Sequence, residues 1–252
     1  MFTYLAWVQK ICGSDSSLFS DGVSFSTLTC ENALVVTPGD STSTTSTSYV
    51  YPVNNYYRYT ASEIIIDSAE IGGPMELNAI KFYYDYSTAS TVKNTVDIYL
   101  KPTTKTSFSN ISDYEIVDST AQLVYSGPLN CVQGWNTFAF DNVYSYDGTT
   151  NLMVIVDDNS NAYNGSAYVF RNRTCTSEKT LVYYSDTYNP DVTDASAMSS
   201  YSGTRVSYAY RPEMQPVSCG SISVCHEPII TAINHTYESP PSVGMVKALT
   251  MR

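Results

Sequence analysis

The run Val156-Asp157-Asp158-Asn159-Ser160-Asn161 sets carboxylates and amides side by side at the end of an apolar segment, Leu152–Val156. Calcium takes roughly six to eight oxygen ligands from carboxylates, amides and backbone carbonyls. A strand ending in Asp157, Asp158 and Asn159 is therefore a candidate calcium site, with Asp141, Asn142 and Asp147 on a neighbouring turn as further donors. The same residues also suit a plain turn, because Asp and Asn side chains hydrogen-bond their own backbone. No stretch follows the spacing of an EF-hand loop.

Tyrosine is the second chemical theme, with 23 copies that gather as Tyr56-Tyr57-Tyr59, Tyr83-Tyr84-Tyr86, Tyr183-Tyr184 and Tyr208-Tyr210. Flat aromatic faces accept sugar rings, and tyrosine gives a large contact area at low entropic cost. Alternate residues of a strand share a face, so Tyr84 and Tyr86 fall on one side and Tyr83 on the other. Tyr57, Tyr84, Tyr86 and Tyr184 are the candidate ligand-binding residues. Tyrosine equally builds sheets by cross-strand packing, and that reading stands beside the first.

The six cysteines are Cys12, Cys30, Cys131, Cys175, Cys219 and Cys225. An even number is compatible with an oxidising compartment. Cys12 with Cys30, and Cys219 with Cys225, are candidate disulfides because each would close a short loop; buried free thiols are the alternative. The spacing of Cys219, Cys225, His226 and His235 fits no usual zinc finger. No histidine precedes His226, which argues against a Ser-His-Asp or Cys-His nucleophile in the body of the chain. Paired carboxylates such as Asp97, Asp157 and Asp158 leave glycoside hydrolysis as a distant reading. The sequence reads as non-catalytic.

The elements that must position these residues are short. Thirteen basic against 24 acidic side chains give a net charge of −11, with no basic cluster to read phosphates. A hydrophobic content of 43% and charged content of 15% exclude a disordered acidic chain. No segment reaches the roughly 18–20 apolar residues of a membrane span. In Thr95–Lys101, Val96, Ile98 and Leu100 share one face while Asp97, Tyr99 and Lys101 share the other, the period of a half-buried strand. Phe138 and Phe140 also fall on one side. Leu152–Val156 is apolar at every position and predicts a central strand covered on both faces. The run Ser41-Thr42-Ser43-Thr44-Thr45-Ser46-Thr47-Ser48 offers no apolar face and predicts a loop or linker. Short helical turns are expected at Ser107–Tyr114 and Asp194–Ser200. Many short strands separated by turns, with no alternating helices, predict an all-β, antiparallel two-sheet β-sandwich.

Several stretches, taken in order, resemble an uncharacterised jelly-roll-like β-sandwich domain of secreted and surface-anchored multidomain proteins from gut and oral anaerobic bacteria. They include Pro52-Val53-Asn54-Asn55-Tyr56-Tyr57, Ile80-Lys81-Phe82-Tyr83, Asp97-Ile98-Tyr99-Leu100, Tyr146-Asp147-Gly148-Thr149, Val156-Asp157-Asp158-Asn159 and Tyr201-Ser202-Gly203-Thr204-Arg205. The resemblance covers residues of about 39–210 and implies a secreted or cell-surface location, with adhesion, glycan binding or a spacer role. It brings no catalytic residues. The chain accordingly divides into an N-terminal extension, 1–38, a sandwich, 39–212, and a C-terminal extension or the start of a following module, 213–252.

The expected function is a non-catalytic module that binds glycan or a host or cell-surface protein, with calcium as a stabilising ion. The β-prone ends allow a second reading, a structural subunit that pairs strands with copies of itself.

Overall fold

The computed structural model describes residues 35–37, 52–164 and 170–219 in full, and elsewhere the backbone of short strands at 3–6, 11–12, 15–16, 23–26, 34 and 44–46. The chain divides into two compact units, one of Met1–Glu31 with Ile222–Arg252 and one of Asn32–Ser221. In the first, β1 (Thr3–Ala6) pairs with β4 (Val23–Ser26), and β2 (Ile11–Cys12) pairs with β3 (Asp15–Ser16), both antiparallel.

The second unit contains two principal sheets. Its strands in chain order are β5 (Leu34–Val35), β6 (Thr44–Ser46), β7 (Tyr59–Ile66), β8 (Met75–Tyr84), β9 (Val96–Thr103) and β10 (Gln122–Gly127), then β11 (Gly134–Tyr146) and β12 (Asn151–Asp158). The chain continues through β13 (Arg171–Thr174), β14 (Thr180–Ser185), β15 (Thr204–Tyr208), β16 (Tyr210–Pro212) and β17 (Met214–Ser218). Among the described residues there are also two short helices, α1 (Ser68–Ile71) and α2 (Ala195–Ser200). The larger sheet has six strands in the order β10-β9-β12-β7-β14-β15, and the smaller has four in the order β11-β8-β17-β5. Every pairing in both is antiparallel. This is the all-β, two-sheet arrangement that the strand pattern predicts.

Side-chain alternation builds the core. Ile64, Ile66, Val96, Ile98, Leu100, Leu152, Val154 and Val156 of the larger sheet meet Leu77, Ile80, Phe82, Phe138 and Met214 of the smaller one. Phe138 is buried and Phe140 packs beside it, as their spacing predicts. The opposite face of the larger sheet carries a second core, in which Ala61, Ile65, Met153, Ile155, Leu181 and Tyr183 pack under Phe108, Val192 and Met198. β12 lies between β9 and β7 with apolar cover on both sides, which accounts for its unbroken apolar run.

Three local features differ from the sequence pattern. The polar face of β9 is covered, because segment 104–121 folds over it and satisfies its charge. Lys101 Nζ donates to Ile116 O at 3.0 Å and to Asp118 Oδ2 at 3.1 Å, with Glu115 at 3.3 Å. Residues 107–114 form turns and no helix. There Asp113 accepts from Ser109 N and Oγ and pairs with Lys105, so its side chain takes a backbone partner that a helix would need elsewhere. Thr44–Ser46, inside the expected linker, pairs with Arg171–Arg173 as an edge strand, a role that β-branched threonine fits. The expected helical turn near 194–200 forms as α2, capped by Asp194, whose carboxylate accepts from Ser196 N and Ala197 N.

Candidate functional site

Antiparallel order brings four strand termini to one end of the larger sheet. β7 begins at Tyr59, opposite Ser185 at the end of β14, while β12 ends at Asp158, opposite Thr60 of β7 and Val96 at the start of β9. Segments 52–58, 93–95, 159–164 and 186–191 connect at these termini. The topology therefore collects, from distant parts of the sequence, five of the residues singled out above: Tyr57, Asp157, Asp158, Asn159 and Tyr184.

Aromatic side chains form the outer part of this end. The Tyr57 and Tyr184 rings stand 4.5 Å apart, and Tyr56 meets Tyr57 edge-on at 5.3 Å. Tyr56 is 46% exposed, and Tyr163 and Tyr188 are each 50% exposed. Arg58 links the loops. Its backbone N–H donates to Asp186 Oδ1, its guanidinium donates to Asn161 Oδ1, and the same guanidinium lies 5.6 Å from the centre of the Tyr163 ring. Asn161 adopts a left-handed φ of 50°, a conformation that asparagine tolerates better than most residues. Asn54 fixes the turn before the tyrosines by accepting from Tyr56 N through its side chain.

Beside the tyrosines the polar groups pass from exposed Asn189 through half-buried Asn159 to buried Asp157. Asn189 Nδ2 donates to Asn159 Oδ1 at 2.5 Å, and Asn159 Nδ2 donates to Asp157 Oδ2 at 2.8 Å. The other oxygen of Asp157 is buried without a partner, and so are both polar atoms of the Asn55 amide. Burial pushes the Asp157 carboxyl up to about 7, against the Asn159 hydrogen bond and with further help from Asp97, Asp158 and Asp191. Asp158 is fully buried and faces Lys93, the two charged atoms standing 2.5 Å apart. Lys93 Nζ also donates to the carbonyls of Tyr57 and Ala162.

The remaining candidate residues lie elsewhere. Asp147 caps the turn before β12 by accepting from Thr149 N and Thr150 N, one strand length of about 25 Å from Asp158. Asp141 is exposed on β11 and accepts from Ser126 N. Among the described residues, no three His, Cys, Asp or Glu side chains converge closely enough to hold a metal ion. Asp157, Asp158, Asn159, Asp141 and Asp147 thus do not meet at one point. Tyr84 is completely buried in the core, with its hydroxyl donating to Thr88 O, and Tyr86 is partly buried against the same core. Arg58, Lys93, Tyr163 and Tyr188 belong to the site but carry no sequence signal of their own, since only the strand order places them there.

Cys219 is disulfide-bonded. Cys131 and Cys175 are free thiols, and the side chains of Cys12, Cys30 and Cys225 lie outside the described residues. Burial pushes the Cys131 thiol up to about 12, the mark of a small core group and not of a nucleophile. His226 and His235 also lie outside the described residues. No helix among the described residues is long and apolar enough to cross a membrane.

No protein-family model matches the chain, and no curated protein does. Among solved structures, the chain is similar to the cysteine protease and lectin-like domains of Cwp84, a surface layer associated protein of Clostridium difficile. That likeness has a TM-score of 0.34 at 12% identity and covers 64% of this chain and 32% of that one. The chain thus spans about a third of that structure's length. Likeness at this level carries no weight for function.

Proposed function

We propose that the chain is a non-catalytic, extracellular β-sandwich module that binds glycan at the tyrosine-rich end of its larger sheet. The observation that carries this reading is the set of exposed tyrosines, Tyr56, Tyr163 and Tyr188, around a rim of Arg58, Asn161, Asp186 and Asn189. Tyrosine rings offer apolar faces to the C–H side of a sugar, while amides, carboxylates and a guanidinium supply directional partners for hydroxyls. Asp97, Asp186 and Asp191 outnumber Arg58 around this end, so the local field disfavours anionic sugars. The ligand class is therefore a neutral or amino sugar. A disulfide at Cys219 supports an oxidising, extracellular setting.

The test is a glycan array that includes matched neutral and sialylated structures, probed with the full chain and with Tyr56→Ala and Tyr163→Ala variants. The reading expects binding to neutral saccharides that weakens by roughly tenfold when either exposed ring is removed. Binding to no glycan, or binding that survives both substitutions, contradicts it.

A further inference from the structure

Lys93 and Asp158 make a contact unlike the other ion pairs among the described residues. Their charged atoms are 2.5 Å apart, and neither side chain has any exposed surface. Asp158 Oδ2 nevertheless accepts no hydrogen bond of ordinary geometry, so the amino group meets the carboxyl group outside the alignment of a charged hydrogen bond. Asp158 Oδ1 has a separate partner, Ser160 N, at 3.1 Å. Lys93 Nζ donates to Tyr57 O at 2.6 Å and to Ala162 O at 2.9 Å.

The geometry points to an intramolecular amide cross-link between Lys93 and Asp158, formed within the folded chain. A neutral amine has two N–H donors and one lone pair. Tyr57 O and Ala162 O account for both donors, which leaves the lone pair to face the Asp158 carboxyl group. Burial holds the Lys93 ammonium below its ordinary range, and Asp158 only partly offsets this. Burial likewise raises the Asp158 carboxyl against the opposing pull of Lys93. Both shifts favour the neutral pair, amine beside carboxylic acid, over the ion pair.

The step balances without an oxidant or co-reactant. One proton passes from the Lys93 ammonium to Asp158 Oδ2. The Nζ lone pair then forms a bond to Cγ, and negative charge develops on Oδ1, where the Ser160 N–H already points. A second Nζ proton moves to Oδ2, the Cγ–Oδ2 bond breaks, and Oδ2 leaves as water. The third proton stays as the amide N–H, for which Tyr57 O and Ala162 O are the available acceptors. A desolvated lysine held against its electrophile gains both nucleophilicity and the advantage of an intramolecular reaction. The product ties the residues before β9 to the end of β12. It does not depend on what the neighbouring tyrosines bind.

Intact-mass measurement of the purified full chain under reducing conditions tests this directly. The expected mass is one water, about 18 Da, below that of the sequence. Trypsin should fail to cleave after Lys93 and should release a linked peptide containing Lys93 and Asp158. Lys93→Ala and Asp158→Ala should each restore the sequence mass. Asp158→Asn should lose ammonia instead, about 17 Da. A wild-type chain at full sequence mass overturns the proposal, whether or not the variants fold. Loss of water with normal cleavage after Lys93 also overturns it, because that combination marks a succinimide.

Discussion

Asp157 on β12 stands directly opposite Asp97 on β9, and both point to the face of the larger sheet that carries the second core. Burial disfavours the charge of Asp157, and the facing Asp97 adds to the effect, so that the Asp157 carboxyl is held up to about 7. A carboxyl raised in the folded state contributes stability that is fully present below its unfolded pKa and is lost as pH rises through the folded value. For Asp157 that window runs from about 4 to about 7. Asp157→Asn keeps the acceptor for Asn159 and removes the charge. We predict that it raises the melting temperature at pH 8 and changes it little near pH 4. Thermal unfolding across that range checks both limits, and equal shifts at the two pH values would contradict the assignment.

Glu63 is a stronger case of the same sign. It lies within β7 on the second-core face, accepts from Glu115 N through one oxygen, and keeps the other oxygen buried without a partner. Burial pushes its carboxyl up to about 8. The unfolded chain releases this proton first, so folding stability falls from about pH 4.5 to about pH 8. At about 1.4 kcal/mol per unit, the loss by pH 7 is roughly 3 kcal/mol. Glu63→Gln is predicted to recover most of that amount at pH 7 and none of it near pH 4, as read by urea denaturation.

The turn before β12 gives a prediction about backbone. Gly148 has φ of +78°, and a Cβ there would sit 2.3 Å from Pro74 N. Gly148→Ala therefore combines left-handed strain with a backbone collision, and the expected cost is about 2 kcal/mol or more. Asp147→Ala in the same turn loses only the exposed hydrogen bonds to Thr149 and Thr150 and should cost less. Chemical denaturation of the pair should rank Gly148 as the costlier change.

Arg211 tests the buried polar scaffold. It is 2% exposed, donates to Ile65 O, and grips both oxygens of the Glu70 carboxylate at 2.6 and 2.5 Å. Replacing it with Met leaves Ile65 O and Glu70 without their donor. Glu70 also accepts from Asp67 N, so that contact should survive. A loss of about 3 kcal/mol is expected, and a neutral effect would show that apolar packing substitutes for the pair.

The sequence pattern reveals faces better than neighbours. Val96, Ile98 and Leu100 announce one buried side of β9, and the unbroken Leu152–Val156 run announces a central strand. Both follow from side-chain period alone. The same period assigns Asp97, Tyr99 and Lys101 to an open face, yet a long connection covers them, because Lys101 finds Ile116 O, Glu115 and Asp118 beneath it. Composition marks Asp157, Asp158 and Asn159 as a polar strand end. It cannot join them to Lys93, Tyr57 or Arg58, since that meeting depends on the order of β9, β12, β7 and β14. Tyr84 and Tyr57 look alike in sequence, but one fills the core and the other opens the site. Which strand faces the core at each register is settled by sheet pairing and not by residue type.

Sugar binding by the exposed rings at the β7–β12–β14 end of the larger sheet can be read by calorimetric titration of the full chain with the neutral oligosaccharide that ranks highest on the array, repeated on the Tyr56→Ala/Tyr163→Ala double variant. The wild type should bind saturably and the double variant should lose binding with an unchanged melting temperature. Equal affinity in the two proteins would contradict it.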